Sequence, residues 1–172
     1  MSKPYEDPQL LRELFAYDAE SGRVFHAKTR TGQGCKIKAG APADTHVNTC
    51  GYHQLSATAA GRRHRPMAHR VAWILHHGKP IPDGMQVDHI NGIRTDNRIE
   101  NLRLVTHTEN QHNQRKAKGY TWNTQCRKWR AQIRVGGKHK TLGLYATELE
   151  ARAAYMRAKR ELHPTAPLEV YH

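Results

Sequence analysis

Apolar residues occur along this chain in short groups, each bounded by Gly, Pro, Asn or Asp. Near the N-terminus Leu10, Leu11, Leu14 and Phe15 lie on one face behind Asp7 and Pro8. That order predicts a short helix, with Asp7 as N-cap and Pro8 as its first residue. Ser21-Gly22 suits a tight turn and Arg23 to His26 a strand, so a small hairpin is expected. From Thr29 to Asp44 the chain reads as an ordered loop or irregular strands, residues 52 to 58 as a strand, and Gly61 to Arg65 as a strongly basic turn. The clearest helix of the first half is "MAHRVAWILHHG" at 67 to 78, with Val71, Trp73, Ile74 and Leu75 apolar and Gly78 placed to end it.

Beyond the breaker "KPIPDG" the pattern changes. "MQVDHI" is a short apolar run ending in Asp88-His89, Asn91-Gly92 is a turn signal, and "LRLVT" at 102 to 106 is a second strand. "THTE" at 106 to 109 matches a capping box, so Asn110 falls in the first turn of a helix with Asn113 and Gln114 one turn later. After the basic linker "RKAKG", residues 120 to 163 read as a separate unit. Trp129, Ala131, Ile133 and Val135 alternate as in a half-buried strand, Gly136-Gly137 marks a hairpin, and Thr147 with Glu150 makes a second capping box. Leu149, Ala153 and Met156 predict the buried stripe of the last helix. A sheet with one helix packed on it is the economical fold for this unit.

Charge narrows the function. The 172 residues carry a formal net charge of +13, with 13 His besides, so a polyanion is the expected partner. No apolar run approaches the roughly 20 residues of a spanning helix, and no basic amphipathic helix with a bulky apolar face stands out. Nucleic acid is therefore favoured over lipid. The N-terminus lacks a charged-then-apolar signal design, so a cytoplasmic protein that is not secreted is expected. Cys35, Cys50 and Cys126 are odd in number and widely spaced, which suits reduced thiols. Cys50 and His53, with Cys35 and His46 upstream, could build a zinc site, but no second tight pair supports one.

The stretch "VDHINGIRTDNRIENLRLVTHTENQHNQ" concentrates ligand-type side chains. Asp88 and Asn110 offer oxygen ligands, the set that suits a hard cation such as Mg²⁺ rather than zinc. His89 can take a proton from water at neutral pH. Metal, base and basic surface together imply phosphodiester hydrolysis. His107, His112 and Asn113 are weaker candidates for metal or phosphate contact. Asp96 and Asn97 read as loop and hydrogen-bonding residues rather than ligands. Arg62, Arg63 and Arg65 could grip phosphates.

The same stretch, with the "GYHQL" and "HRVAW" segments before it, resembles the HNH nuclease motif in its phage and intron homing variant, where the last His is an Asn. The resemblance implies a small ββα-metal core at 67–114 within an α+β protein, after an N-terminal helix and hairpin region at 1–66. It also implies His89 as general base, Asn101 as the residue pinning the base's loop, Asp88 and Asn110 as ligands of one Mg²⁺ or Mn²⁺, and products with a 5′-phosphate and a 3′-hydroxyl. Residues 119–163, between a linker at 115–118 and a tail at 164–172, resemble the plant ethylene-response-factor (Apetala) type DNA-binding domain of three strands and a helix. On that resemblance Arg130, Gln132, Arg134 and Lys140 read bases or grip phosphate in double-stranded DNA, and Lys138 grips phosphate. A monomer with one catalytic centre would nick one strand. The rival expectation is a non-catalytic DNA-binding regulator; an RNA-binding protein also fits the charge.

Overall fold

The structure, a computed structural model, describes residues 4–32, 35–112 and 118–163. Asn113, Gln114, most of the expected linker and the expected tail lie outside these residues. The chain divides into two compact units, Met1–Thr106 and His107–His172. Helices and small antiparallel sheets make up both, a mixed α and β architecture with four α-helices among the described residues.

The first unit opens with a 3-10 turn at Pro4–Glu6 and helix α1, Pro8–Leu14. Asp7 caps α1 as expected: its carboxylate accepts from the Gln9 and Leu10 amides at 3.4 and 3.2 Å. Five two-stranded antiparallel ribbons and one helix follow. They are β1 (Phe15–Tyr17) with β2 (Val24–His26), β3 (Arg30–Gly32) with β4 (Cys35–Ile37), β5 (His46–Val47) with β6 (His53–Gln54), and β7 (Ala57–Ala59) with β8 (Arg62–His64); after α2 (Ala68–His77) comes β9 (Met85–His89) with β10 (Leu102–Thr106). Gly78 ends α2 in the left-handed conformation, its amide donating to the Ile74 carbonyl at 2.8 Å. Leu11, Phe15, Val24, Leu55, Val71, Ile74, Val87 and Leu102 form one core between the two helices and the ribbons. Each such side chain contributes about 1.5–3 kcal/mol by leaving water. Glu6, itself buried, takes a two-point hydrogen bond from Arg70 on α2, both contacts at 2.8 Å, and so ties the N-terminus to that helix.

Two expectations for this region need correction. The run 52–58 is not one strand, because at Leu55 the chain turns its side chain into the core while the Leu55 amide bonds to Pro66. Arg62 to His64 is not a turn but strand β8; the turn is Ala60-Gly61, both at positive φ (48° and 71°). A run of like charge reads as a loop because nothing apolar alternates within it. Its extended form comes from the partner strand, whose Ala57 and Ala59 supply the buried face.

The second unit begins with α3, His107–His112. A three-stranded sheet follows in the order β11 (Tyr120–Asn123), β12 (Lys128–Val135), β13 (Lys138–Tyr145), covered by α4, Glu148–Leu162. Gly136 and Gly137, at φ 56° and 80°, make the β12–β13 hairpin turn that their pairing predicts. The Thr147–Glu150 capping box is present on both sides: the Glu150 amide donates to Thr147 Oγ1 at 3.2 Å, and the Thr147 amide donates to Glu150 Oε2 at 3.1 Å. The buried stripe of α4 differs in part from expectation. Leu149 is 74% exposed and Ala153 is exposed too, whereas Met156 packs, half-buried, against the cluster that Tyr155 and Ala158 form with Ile133; Ala151 is also buried. Small alanines let the helix approach closely, and the Tyr155 ring fills the space left by Gly119. A β-carbon on Gly119 would lie 2.1 Å from the Tyr155 ring, and the residue sits at φ 68°. Gly119→Ala should therefore destabilise the second unit by about 2 kcal/mol or more. Urea unfolding followed by tryptophan fluorescence checks this, and an unchanged midpoint would exclude the close packing described.

Candidate active site

The β9–β10 ribbon and the loop joining it carry the densest polar network of the first unit. Its register sets His89 opposite Leu102, Asp88 opposite Arg103 and Val87 opposite Leu104. Alternation along β9 turns Val87 and His89 inward and Asp88 to the other face. Asn101, buried at the end of a 3-10 turn, holds the loop at several points. Its Oδ1 accepts from the Asn91 amide at 2.9 Å, its Nδ2 donates to the Asp96 carbonyl at 2.8 Å, and its own carbonyl accepts from Ile90 at 2.8 Å. Gly92, at φ 66°, closes the expected Asn-Gly turn onto the His89 carbonyl at 2.9 Å. Asp96 receives two hydrogen bonds from the Arg98 guanidinium at 2.9 and 2.8 Å and one from Asn91, which hold its carboxyl down at about 2.

His89 is 6% exposed, and its Nε2–H donates to Asn97 Oδ1 at 3.0 Å. That bond leaves the lone pair on Nδ1. Burial pushes the imidazole pKa below its ordinary value; the Asn97 bond and the Asp88 and Asp96 carboxylates oppose the shift, and Arg94 reinforces it. The net direction favours the neutral ring at pH 7. His69 of α2 meets it edge to face at 5.1 Å between centroids, and Tyr52 lies 5.1 Å from His69 and 5.9 Å from His89. The Arg94 guanidinium lies over the Tyr52 ring at 5.1 Å from its centroid and donates to the Cys50 carbonyl at 2.7 Å.

The loop is also braced from the N-terminal side. Tyr17 donates its hydroxyl to the Asn97 carbonyl at 2.7 Å, and the Ile99 amide reaches the Ala19 carbonyl at 3.3 Å. Gly22, in the β1–β2 turn, lies so close that a β-carbon there would stand 2.5 Å from the Arg98 amide. The Tyr17 hydroxyl is half-buried, and this burial, then Asp18 and Asp96, pushes its pKa up to about 12.

The remaining expected residues are placed as follows. Asp88 is half-buried, and its Oδ2 accepts from Arg103 Nε at 3.1 Å and Nη2 at 2.9 Å. Asn110 lies half-buried on α3, in the second unit, with an exposed His107 whose Nε2 accepts from Gln111 at 2.8 Å. His112 ends the same helix. Arg62, Arg63 and Arg65 are exposed, and Arg63 donates to Ser56 Oγ at 2.9 Å. In the second unit Arg130, Gln132 and Arg134 share one face of β12 and pair with Leu144, Thr141 and His139. Lys138 and Lys140 pair with Val135 and Ile133, so the register sets them on the opposite face, the one α4 covers, although both remain exposed. Trp129 is half-buried between Tyr120 and Trp122, at 6.1 and 5.5 Å. Cys50 and Cys126 are free thiols on the surface. Among the described residues no three His, Cys, Asp or Glu side chains gather as a metal-binding group, and no helix is long and apolar enough to cross a membrane.

Residues 67–112, which contain α2, the β9–β10 ribbon and α3, match the model of the HNH endonuclease family. The chain belongs to that family. It is 32% identical over 105 residues to Protein 3.8 of Escherichia phage T7, an overlap of 57% of this chain and 85% of that protein. Among solved structures it is similar, with a TM-score of 0.44 and 26% identity, to one described as DNA binding and cleavage by the HNH homing endonuclease I-HmuI. That match covers 59% of this chain and 51% of the solved chain, so the chain spans about half the length of that relative.

Asn97, His69 and Tyr52 were not singled out by sequence as parts of this site. Asn97 stands in "TDNR", where an amide reads as a turn former, and only the fold shows its side chain turned inward. His69 did leave a signal, as a polar residue among the buried Ala68, Val71, Ala72 and Ile74 of α2. Burial, then the neighbouring His89 and Arg70, lower its pKa from 6.5 to about 3. A folded-state value below the unfolded one means that the neutral ring's stability is fully present above about pH 6.5 and is lost as pH falls towards 3. One such group can contribute up to about 1.4 kcal/mol per pH unit across that window. Urea midpoints of wild type should therefore fall more steeply between pH 6.5 and 4.5 than those of His69→Phe. Parallel curves would show that the ring is not buried neutral.

Proposed function

We propose that this protein is a phage-type homing endonuclease that hydrolyses phosphodiesters of double-stranded DNA, with His89 as general base. The observation that carries the reading is the buried imidazole of His89, hydrogen-bonded through Nε2 to Asn97, inside the residues matched to the HNH family. A neutral ring with its lone pair on Nδ1 can accept a proton from water as that water attacks phosphorus. The bond to the 3′ oxygen then breaks, leaving a 3′-hydroxyl and a 5′-phosphate. Asn101 positions the loop, and Asn97 selects the tautomer.

Asp88 and Asn110 are the proposed cation ligands, Asn110 on the strength of its place in the matched stretch alone. Their oxygens suit Mg²⁺ or Mn²⁺, which take most of their coordination from water and phosphate, and do not suit zinc. A bound cation would polarise the phosphate and steady the leaving oxygen. One site per chain favours nicking by a monomer, in the cytoplasm of a bacterial host. We assign residues 119–163 to the ethylene-response-factor type of DNA-binding domain, with Arg130, Gln132 and Arg134 as the base-reading or phosphate-gripping face and Lys138 and Lys140 as phosphate contacts. Arg62, Arg63 and Arg65 contribute phosphate contacts from the first unit.

Supercoiled plasmid carrying the neighbourhood of the gene should be relaxed in Mg²⁺ or Mn²⁺ and left intact in chelator. His89→Ala should lower the rate about 10²–10⁴-fold, the usual contribution of a general base. Wild type that shifts DNA in a gel yet relaxes no plasmid under either metal would leave only the DNA-binding regulator. The acid limb of the pH–rate profile should lie below the ordinary histidine value, because burial lowers the His89 pKa. In Asn97→Asp that limb should move up, since a carboxylate on Nε2 favours the imidazolium. A limb that stays where it was would remove the assignment of the base.

A further inference from the structure

Away from His89, an open cleft of about 800 Å³ lies between the β3–β4 ribbon and the strands β5 to β8. Arg30, Lys36 and Lys38 from the β3–β4 segment line it together with His46, Arg63 and Arg65 from the β5–β8 segment. No Asp or Glu lines it. The reason is visible in the chain: from residue 21 to 82 Asp44 is the only acidic residue. Asp44 is 1% exposed and already satisfied, since Arg23 Nη2 contacts its Oδ1 at 2.9 Å and the Val24 amide donates to its Oδ2 at 3.1 Å. The cleft therefore keeps a positive field with no internal counter-charge. Like charges share its lining, an arrangement that costs free energy unless an anion lies among them.

We propose that this cleft holds a stretch of the phosphodiester backbone of duplex DNA, with Arg30, Lys36, Lys38 and His46 as contacts added to Arg63 and Arg65. Its open form suits a continuous polyanion, which can pass through and meet several of these cations in turn, over a small anion that would need enclosure. The inference rests on the reading of DNA as substrate, but it concerns grip and not chemistry. Phosphate contacts of this kind fix register and carry no sequence information.

Affinity for a fluorescent duplex, measured by anisotropy over a series of salt concentrations, tests it. Lys36→Gln/Lys38→Gln, at two exposed positions, should bind about tenfold more weakly at low salt, and the slope of log affinity against log salt should become shallower by about 1.8. Lys36→Arg/Lys38→Arg should keep the wild-type slope. Arg12→Gln/Lys79→Gln removes the same charge from exposed residues outside the cleft and should leave the slope unchanged. The proposal is overturned if the cleft variant keeps the wild-type slope, if the outside pair loses as much, or if the loss is seen with duplex RNA and not with DNA. A wild type that shows the full slope and cleft effect but never nicks would support the cleft while removing the nuclease reading. One that nicks normally with an unchanged cleft slope would do the reverse.

Discussion

The bond from His89 to Asn97 is the constraint on which the arrangement of the first unit depends. An imidazole packed against His69 and Tyr52 loses most of its hydration, and the charged ring loses more than the neutral one. A single hydrogen bond to an amide oxygen compensates one nitrogen and leaves the other with its lone pair. For that bond to form, the backbone at Asn97 must be held, and Asn101, Tyr17 and the turn at Gly22 hold it from three directions. Strand, loop and hairpin are arranged about one ring.

The Asp88–Arg103 pair shows a different balance. Directly opposite charges across a ribbon stabilise it modestly, by about 0.2–1 kcal/mol. The geometric consequence matters more, because strand alternation separates the carboxylate from the neighbouring imidazole although the two are adjacent in sequence. Base and acid thus have distinct surroundings: the imidazole is buried among rings, and the carboxylate is half-buried beside a guanidinium.

What the sequence disclosed followed from local chemistry. The Asp7 cap, the Gly78 stop, the Asn91-Gly92 and Gly136-Gly137 turns and the Thr147–Glu150 box are each decided by residues within four positions of one another, and each stands as expected. Failures occurred where pairing or packing with another segment decides the outcome. Leu149 had the right period for the buried face of α4, yet the face was chosen by Tyr155 finding room beside Gly119, a contact across 36 positions. Arg62 to His64 is extended by the adjacent strand of its own hairpin, and the backbone at Asn97 is held by the Tyr17 hydroxyl from 80 positions away. The motif letters marked where the chemistry lies; which amide serves the base was written in tertiary contacts.

The Tyr17–Asn97 contact ties the surroundings of the base to a distant part of the chain. It closes a segment of 80 residues at a cost in entropy, so the final shape of the loop around His89 is coupled to the docking of the N-terminal hairpin. The environment that lowers the imidazole pKa thus belongs to the assembled unit. A nascent or locally opened chain would carry His89 in water, with an ordinary histidine's affinity for protons. Tuning of the base is a property of the completed unit.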